Sequence, residues 1–371
     1  MKSNESKLCD DTKQGGDVST EEDTVKLQKD VDRLPPGSRS HGSRCSNGSS
    51  RIMSTSKKTQ ANLLTIIILS RGKCGLSKCI TRYLMAMAAG DLMVLIFEVV
   101  LYEIKDAYFP YSFLNYTPIC SLNLALLFIS IDCSVWLTMA FTFDRFVAIC
   151  YQTLRPKYCT EKTATLVIAV VCSLSILVNV PMYFIYEPRE IIDKVPWSCY
   201  VKSSFYTLPI WVAFWSFKTI LTPFAPFVLI ILLNALTIRH IVLANRVRSG
   251  LRGNNKVQNH TDPEMENRKK SIILLLVISG SFILLWMVMF ICFIYVHFPN
   301  VQFLEANYTD PFTIAEQSGY MLRCLSACNN TFIYAASQSK FRDELMNVIT
   351  RPVAFIKKNL TSRLIRRYWG R

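Results

Sequence analysis

One stretch, Cys120 to Cys150, constrains this chain more than any other. It is an almost uninterrupted apolar run that closes on Asp144-Arg145-Phe146-Val147-Ala148-Ile149-Cys150. At the helical rise per residue it makes about 45 Å of helix, enough to cross a bilayer with some tilt. Three ionisable residues interrupt it: Asp132 in the middle, and Asp144 with Arg145 at the end. A charge at mid-depth costs on the order of 2.5–3.5 kcal/mol, so Asp132 should face protein or water and have a task there. The adjacent Asp144 and Arg145 stand at a span end, where both groups can reach interfacial water.

The balance of the chain decides between two readings of its basic character. The 371 residues carry a formal net charge of +15 and are 51% apolar. A soluble domain this basic would suggest nucleic acid. Here the apolar residues fall in long blocks separated by short basic segments, the membrane pattern, so no nucleic-acid partner is expected. No Gly-rich phosphate loop, zinc spacing or Ser/His/Asp arrangement appears in a suitable context, so the chain is not expected to be an enzyme. The four histidines (His41, His240, His260 and His297) are scattered among loops and span ends, which argues against a metal enzyme. Most of the thirteen cysteines lie inside apolar blocks, where Cys acts as a small hydrophobe.

Residues 1–59 are Ser/Gly/Lys/Asp-rich and read as a disordered tail without a signal peptide. The first apolar block, Ala61 to Leu69, is about half the length needed to span. The second, Tyr83 to Leu101, holds Asp91 and Glu98, and the third is the central stretch. The fourth runs from Ala164 to Tyr186, and the fifth from Tyr206 to about Ala244 with Lys218, Pro223 and Pro226. The sixth, Ser271 to Phe298, contains Trp286, and the seventh runs from Phe312 to Ala336. Lys and Arg concentrate after blocks one, three, five and seven, which puts the N-terminus outside and the C-terminus inside. The sequons at Asn115 and Asn307 then lie outside and are candidate glycosylation sites, whereas Asn259 lies inside. Cys120 and Cys199 both land at the membrane edge on the oxidising face, where a disulfide between them is expected.

In this order and spacing the motifs resemble the rhodopsin-like G-protein-coupled receptors over roughly residues 61–350. Cys120 lies twenty-five positions before Arg145, as that family spaces its disulfide cysteine from the arginine of its Asp/Glu-Arg-Tyr motif. Met87-Ala88-Ala89-Gly90-Asp91 is a variant of the second-helix Leu-Ala-x-x-Asp pattern. Pro226 takes the place of the fifth-helix proline and Trp286 that of the sixth-helix toggle tryptophan. Asn330-Thr331-Phe332-Ile333-Tyr334 stands where Asn-Pro-x-x-Tyr is usual, and Ser339-Lys340-Phe341-Arg342 looks like the start of an amphipathic eighth helix. Ala61 to Ser70, Trp136-Leu137-Thr138 and the Asn-x-x-x-Tyr without proline are most similar to a small orphan subgroup of brain receptors that respond to aromatic amino acids.

The resemblance implies a set of sites. Asp91, Ser134 and Asn330 match the positions that hold an allosteric sodium ion; the alternative is a water-filled polar cluster. No other cofactor is implied. Asp144, Arg145, Asn234, Trp286, Asn330 and Tyr334 match positions used in activation and G-protein coupling. Glu98, Asp132, Lys218 and Arg323 put unusual charge in the extracellular half of the bundle, beside Trp286. Family geometry brings Asp132 towards Lys218 and Glu98 towards Arg323, either as two structural ion pairs or as a ligand pocket for a zwitterion. Trp211, Trp215, Phe290 and Tyr320 would suit an aromatic ligand side chain, although such residues are also interface anchors. Leu127 stands where amine receptors place an aspartate, which argues against a monoamine.

The departures also carry expectations. Val288 replaces a kink proline, so the sixth helix should bend less, and Asn234 replaces a tyrosine that supports the active state. Arg268 stands where many relatives have an acid facing Arg145, which predicts a weakened resting state unless Glu266 compensates. No cysteine follows Cys328, so the usual palmitoyl anchor is absent. The basic loop from Arg246 and the tail from Lys357 should attract anionic membrane lipid. The chain is thus read as an all-α membrane protein, a seven-transmembrane helix bundle with a truncated first helix and a short amphipathic eighth helix. A 1–59 extracellular tail, a 60–350 receptor domain and a 351–371 basic cytoplasmic tail make up its domains. It is expected at the plasma membrane, binding a small-molecule or peptide agonist and activating a heterotrimeric G protein. The rival readings are a non-signalling receptor remnant and a small-solute transporter.

Overall fold

The computed structural model describes residues 59–104, 112–251, 263–296, 311–348 and 350. Of the proposed 1–59 tail only residue 59 is described, as the first residue of a helix, and the 351–371 tail and the sequon at Asn307 lie outside these residues. The described chain is a bundle of long helices with one small patch of β-structure over one end.

The first helix, α1, covers 59–70 and is only about 18 Å long. Its shortness does not leave it loose. Asn62 Nδ2 donates to the Ala327 carbonyl at 2.7 Å, and the hydroxyls of Thr65 and Thr331 meet at 2.8 Å. Gly72 and Gly75 then take positive φ, the conformation a Cβ resists, and turn the chain into α2. Ser77 caps α2, Lys78–Val94, by accepting from the Ile80 amide at 3.3 Å. From Leu95 to Ile104 the helix widens into a π-turn, which re-aims the side chains beyond Val94, Glu98 among them.

The central stretch forms a single helix, α3, Thr117–Cys150. α4 is Glu161–Asn179, continued by a 3₁₀ turn to Ile185, and its outer face of Leu166, Val170, Leu174 and Leu177 is exposed. An apolar face with nothing packed on it suits contact with lipid. α5 begins at Pro209–Thr219, loosens over Ile220–Phe224 and resumes as Ala225–Leu251. Pro226, matched to the fifth-helix proline, lies at the start of the resumed helix. Thr222 alone leaves helical φ/ψ, so the break falls at Pro223, which lacks an amide hydrogen and crowds the preceding turn. Trp136 Nε1 on α3 donates to Thr222 Oγ1 at 3.2 Å and fixes the break against the bundle axis.

α6, Pro263–Val296, runs unbroken through Val288, where no proline interrupts it. α7 is Pro311–Ser337, and 339–348 form α8, whose Phe341 is fully buried and edge-on to Tyr334 at 5.8 Å. Lys340 and Arg342 on α8 stay exposed, the amphipathic arrangement expected there. Five helical segments among the described residues are long and apolar enough to cross a membrane: Lys78–Leu101, Thr117–Cys150, Glu161–Ile185, Pro209–Val247 and Lys269–Cys292. α1 falls short by length, and α7 carries Glu316 and Arg323 within its span.

Two short hairpins, β1 (Tyr186–Glu187) with β4 (Tyr200–Val201) and β2 (Glu190–Ile192) with β3 (Val195–Trp197), cover the end of the bundle where α3 begins. The Cys120–Cys199 disulfide ties them to α3 with Cα atoms 6.0 Å apart. The Ser198 amide donates to the Asn115 carbonyl at 2.6 Å, and Thr117 Oγ1 donates to the Ser198 carbonyl at 2.6 Å. Asn115 is consequently only 6% exposed.

Candidate functional site

The polar groups of the bundle lie in four tiers, three of which have a member on α3. At the tier nearest the hairpins stands Asp132, expected to approach Lys218, and the two form a buried ion pair between α3 and α5. The pair has a third member. Asn179 of α4 donates from Nδ2 to Asp132 Oδ2 at 2.6 Å and accepts from Lys218 Nζ at Oδ1 at 2.9 Å. Its second amide hydrogen goes to the Ser175 carbonyl at 2.7 Å. Asn179 escaped the sequence reading, although a lone amide inside an otherwise apolar span is itself a signal of a polar partner.

Glu98, on the π-turn of α2, pairs with Arg323 of α7 in the same half of the bundle. The Arg323 guanidinium also lies 4.9 Å from the centre of the Tyr320 ring, whose hydroxyl donates to Glu316 at 3.0 Å. A cleft opens between these groups, lined by Phe128, Asp132, Trp215, Lys218, Trp286 and Arg323. Trp286 forms its floor, stacked on Phe282 at 5.3 Å between ring centres. Of the other aromatic candidates, Phe290 stacks on Phe227 at 4.4 Å, and Trp211 packs against Phe205 and Phe214. Neither ring lines the cleft, so of the four only Trp215, with Tyr320 through Arg323, stays close to it. Leu127 is buried in the apolar cluster beside Ile131 and Trp286 and leaves no acid at that point.

The second tier is Asp91. Ser134 Oγ donates to its Oδ1 at 2.6 Å and Asn330 Nδ2 to its Oδ2 at 2.7 Å, joining α2, α3 and α7. Below it, Tyr334 Oη is buried without a hydrogen-bond partner, as is Asn62 Oδ1. A carboxylate, a hydroxyl and an amide are the oxygen donors a hard cation takes. In this arrangement the carboxylate is already satisfied by two protein donors, and Asn330 presents its nitrogen to it.

The third tier, whose member Ser279 is absent from the sequence reading, joins α5 to α6. Asn234 Nδ2 donates to Ser279 Oγ at 2.8 Å, and the Ser279 hydroxyl lies 3.0 Å from Asn234 Oδ1. Both side chains are buried. The amide thus holds α6 against α5 at a position that the sequence reading matched to activation and where it noted a replaced tyrosine. Ser279 keeps a bond to the Leu275 carbonyl at 2.7 Å, so removing the amide leaves no orphaned hydroxyl. A net hydrogen bond of about 1 kcal/mol corresponds to roughly a fivefold population change. Asn234→Ala should therefore shift the balance between closed and parted arrangements of α5 and α6 about fivefold towards the parted one, read from spin labels on the two helices; an unchanged distance distribution would mean that the bond does not hold them together.

The fourth tier is Asp144 with Arg145. Arg145 Nε donates to Asp144 Oδ2 at 2.9 Å, and its Nη2 reaches the same oxygen. The other oxygen accepts from the Cys79 thiol of α2 at 3.3 Å. The Cys159 thiol reaches the Asp144 carbonyl at 3.6 Å, and burial, reinforced by Asp144, pushes that thiol up to about 11. It is a neutral donor here, not a reactive thiolate. Arg145 is 5% exposed and lies 6.0 Å from the Phe141 ring centre. Its guanidinium is therefore withdrawn from the surface. The side chains of Arg268 and Glu266, expected to modulate this pair, lie outside the described ones.

These placements follow one order along α3, from a charged cleft under the hairpins to a covered Asp-Arg pair at the far end. A family model, 7 transmembrane receptor (rhodopsin family), matches residues 61–334, about three quarters of the chain. Members of that family are receptors and not enzymes, and their partners are a ligand and a G protein. The chain belongs to the rhodopsin family of seven-transmembrane receptors, multi-pass signalling proteins of the plasma membrane.

Proposed function

We propose that the chain is oriented with its N-terminus outside and responds to a small extracellular agonist, an aromatic amino acid or a short peptide, through the cleft above Trp286. The observation that carries this reading is the cleft itself. It joins opposite charges, Asp132 and Lys218 with Arg323, to the aromatic walls Phe128, Trp215 and Trp286. A zwitterion with a ring is complementary to such a lining. The orientation is supported by the basic segments that follow blocks one, three, five and seven. The same segments favour anionic lipid at the inner face.

Agonist binding at Trp286 would favour the arrangement in which α6 parts from α5, breaking the Asn234–Ser279 contact and uncovering Arg145 for a heterotrimeric G protein. Asp91, Ser134 and Asn330 would hold a sodium ion if Asn330 turned its amide oxygen inward, and the ion would then stabilise the closed arrangement. Second-messenger output from cells expressing the chain tests the reading, beside Arg145→Ala matched for surface level. Basal or amino-acid-stimulated output that falls to background in Arg145→Ala is the expected result. Output indifferent to Arg145 would sink it and favour a non-signalling remnant; the family assignment leaves the transporter reading without support.

A further inference from the structure

At the end of the bundle away from the hairpins the cations fall into two groups, and only one group has partners. Lys78 and Arg82 of α2 pair with Glu161 of α4 at 3.7 and 2.7 Å. Arg71 and Lys73, in the loop between α1 and α2, and Lys340 and Arg342, on α8, are exposed and have no carboxylate partner among the described side chains. Lys340 makes the contrast sharpest. Asp343 and Glu344 stand three and four residues on, the spacing at which helical ion pairs form, yet Lys340 pairs with neither. Its stem lies across the loop instead: a Cβ on Gly75 would meet Lys340 Cδ at 2.8 Å and Nζ at 3.1 Å. The loop and α8 are also packed together, with Cys74, Leu76, Phe341, Leu345 and Val348 in one apolar cluster. Glu344 is half-buried at this seam, where burial and then its carboxylate push the Cys74 thiol up. The ledge therefore presents four exposed cations and one exposed acid, Asp343. One to two turns above it the wall is apolar and bare. Leu63 and Ile67 share an exposed face of α1, and Phe332, beside the Thr331 that meets Thr65, is 66% exposed.

We infer that the ledge of Arg71, Lys73, Lys340 and Arg342 seats the headgroup of a membrane lipid that carries phosphomonoester groups, with its acyl chains against Leu63, Ile67 and Phe332. This assignment rests on the orientation proposed above, which puts the ledge inside, and gives the anionic lipid named there a fixed seat. Clustered phosphates hold several charges in a small volume, so they can draw on the loop and on α8 at once. A phosphatidylserine, with a single net charge, cannot engage both. The four cations have no internal acid to give up on binding, whereas Lys78 and Arg82 would have to leave Glu161. The bare apolar wall separates a lipid from a soluble phosphate, since only the lipid has chains to lay against it.

Native mass spectrometry of the purified full-length chain counts bound lipid as phosphatidylinositol bisphosphate is titrated. A cation near an anionic headgroup corresponds to about fivefold in affinity. Lys73→Gln and Lys340→Gln should therefore each raise the half-saturation concentration about fivefold, and the double variant about 25-fold. Lys78→Gln removes the same charge from the same end of the bundle and should change it by less than about twofold. Gly75→Ala keeps every charge but pushes Lys340 off the loop, so it should match Lys340→Gln. If Gly75→Ala fails to fold, the comparison of Lys73→Gln with Lys78→Gln decides. Equal losses in Lys73→Gln and Lys78→Gln, or phosphatidylserine taken up as well as the bisphosphate, would mean diffuse attraction and overturn the seat. Soluble inositol trisphosphate bound as tightly as the lipid would overturn the lipid assignment in favour of a free phosphate. A C-terminal epitope that stains only in permeabilised cells reads the orientation separately. Staining of intact cells would overturn the orientation and this assignment with it, whereas an inside epitope with no lipid selectivity would overturn the assignment alone.

Discussion

Lys218→Met is expected to strip most of the receptor from the cell surface, and adding Asp132→Leu is expected to bring at least half of it back. The reason lies in what each change leaves behind. Lys218 and Asp132 are 4% and 3% exposed, and Met keeps the length of the lysine stem while discarding its charge. Asp132 is then a buried carboxylate with only the Asn179 amide donating to it. Breaking a buried pair from one side costs roughly 3–5 kcal/mol, a large part of a typical folding stability of about 5–15 kcal/mol. Replacing both partners by apolar side chains removes the lone charge and leaves the Asn179 Oδ1 acceptor and one of its two Nδ2 hydrogens unanswered, neutral losses that cost less than an uncompensated buried charge. Asn179 Nδ2 keeps its bond to Ser175. Epitope staining of intact cells and heat inactivation of the solubilised protein measure both steps. Normal surface level for Lys218→Met would show that water reaches the pair. A double variant no better than the single one would place the damage in packing rather than charge.

How far the sequence leads can be judged from these same residues. The bundle was legible because apolar blocks and basic loops report the bilayer directly, and the motif spacing around Asp91, Arg145 and Trp286 places the helices in register. The partners of the isolated charges were legible too, since each mid-membrane charge needs one. Three features were not. The π-turn after Val94 leaves no mark on composition, because Leu95–Ile104 is as apolar as any helix. The break at Pro223 rather than Pro226 depends on which proline the chain bends around, and both stand in the same apolar run. Asn179 and Ser279 are neutral, and a single amide or hydroxyl in a span can be satisfied by its own helix as easily as by a neighbour. Their role emerges only when Asp132 and Asn234 are seen beside them.

Asp144→Asn is expected to drive agonist-free output towards the agonist-stimulated level, and Arg145→Ala in the same chain to cancel the rise. Among the described side chains the counter-charge of Arg145 in the closed arrangement is the neighbouring carboxylate, and Arg145 has almost no exposure. An amide at 144 can still take a hydrogen bond but no longer balances a guanidinium. Hydrogen bonds to charged groups contribute about 1.5–3 kcal/mol, and each 1.4 kcal/mol is roughly tenfold in an equilibrium. The closed state loses that much relative to any state in which Arg145 reaches water or the G protein. If the open form starts at about 1% of the population, a ten- to hundredfold shift carries it to roughly 10–50%. Cys79→Ala provides the graded control, because it removes only the weak thiol donor on the other carboxylate oxygen, 3.3 Å away, and its effect should be several times smaller. Second-messenger output at matched surface level separates the outcomes. A silent Asp144→Asn receptor that still answers agonist would mean that the closed state is held elsewhere. The Asn234–Ser279 bond between α5 and α6 would then be the place to look, since it is the tier that α6 must break to move.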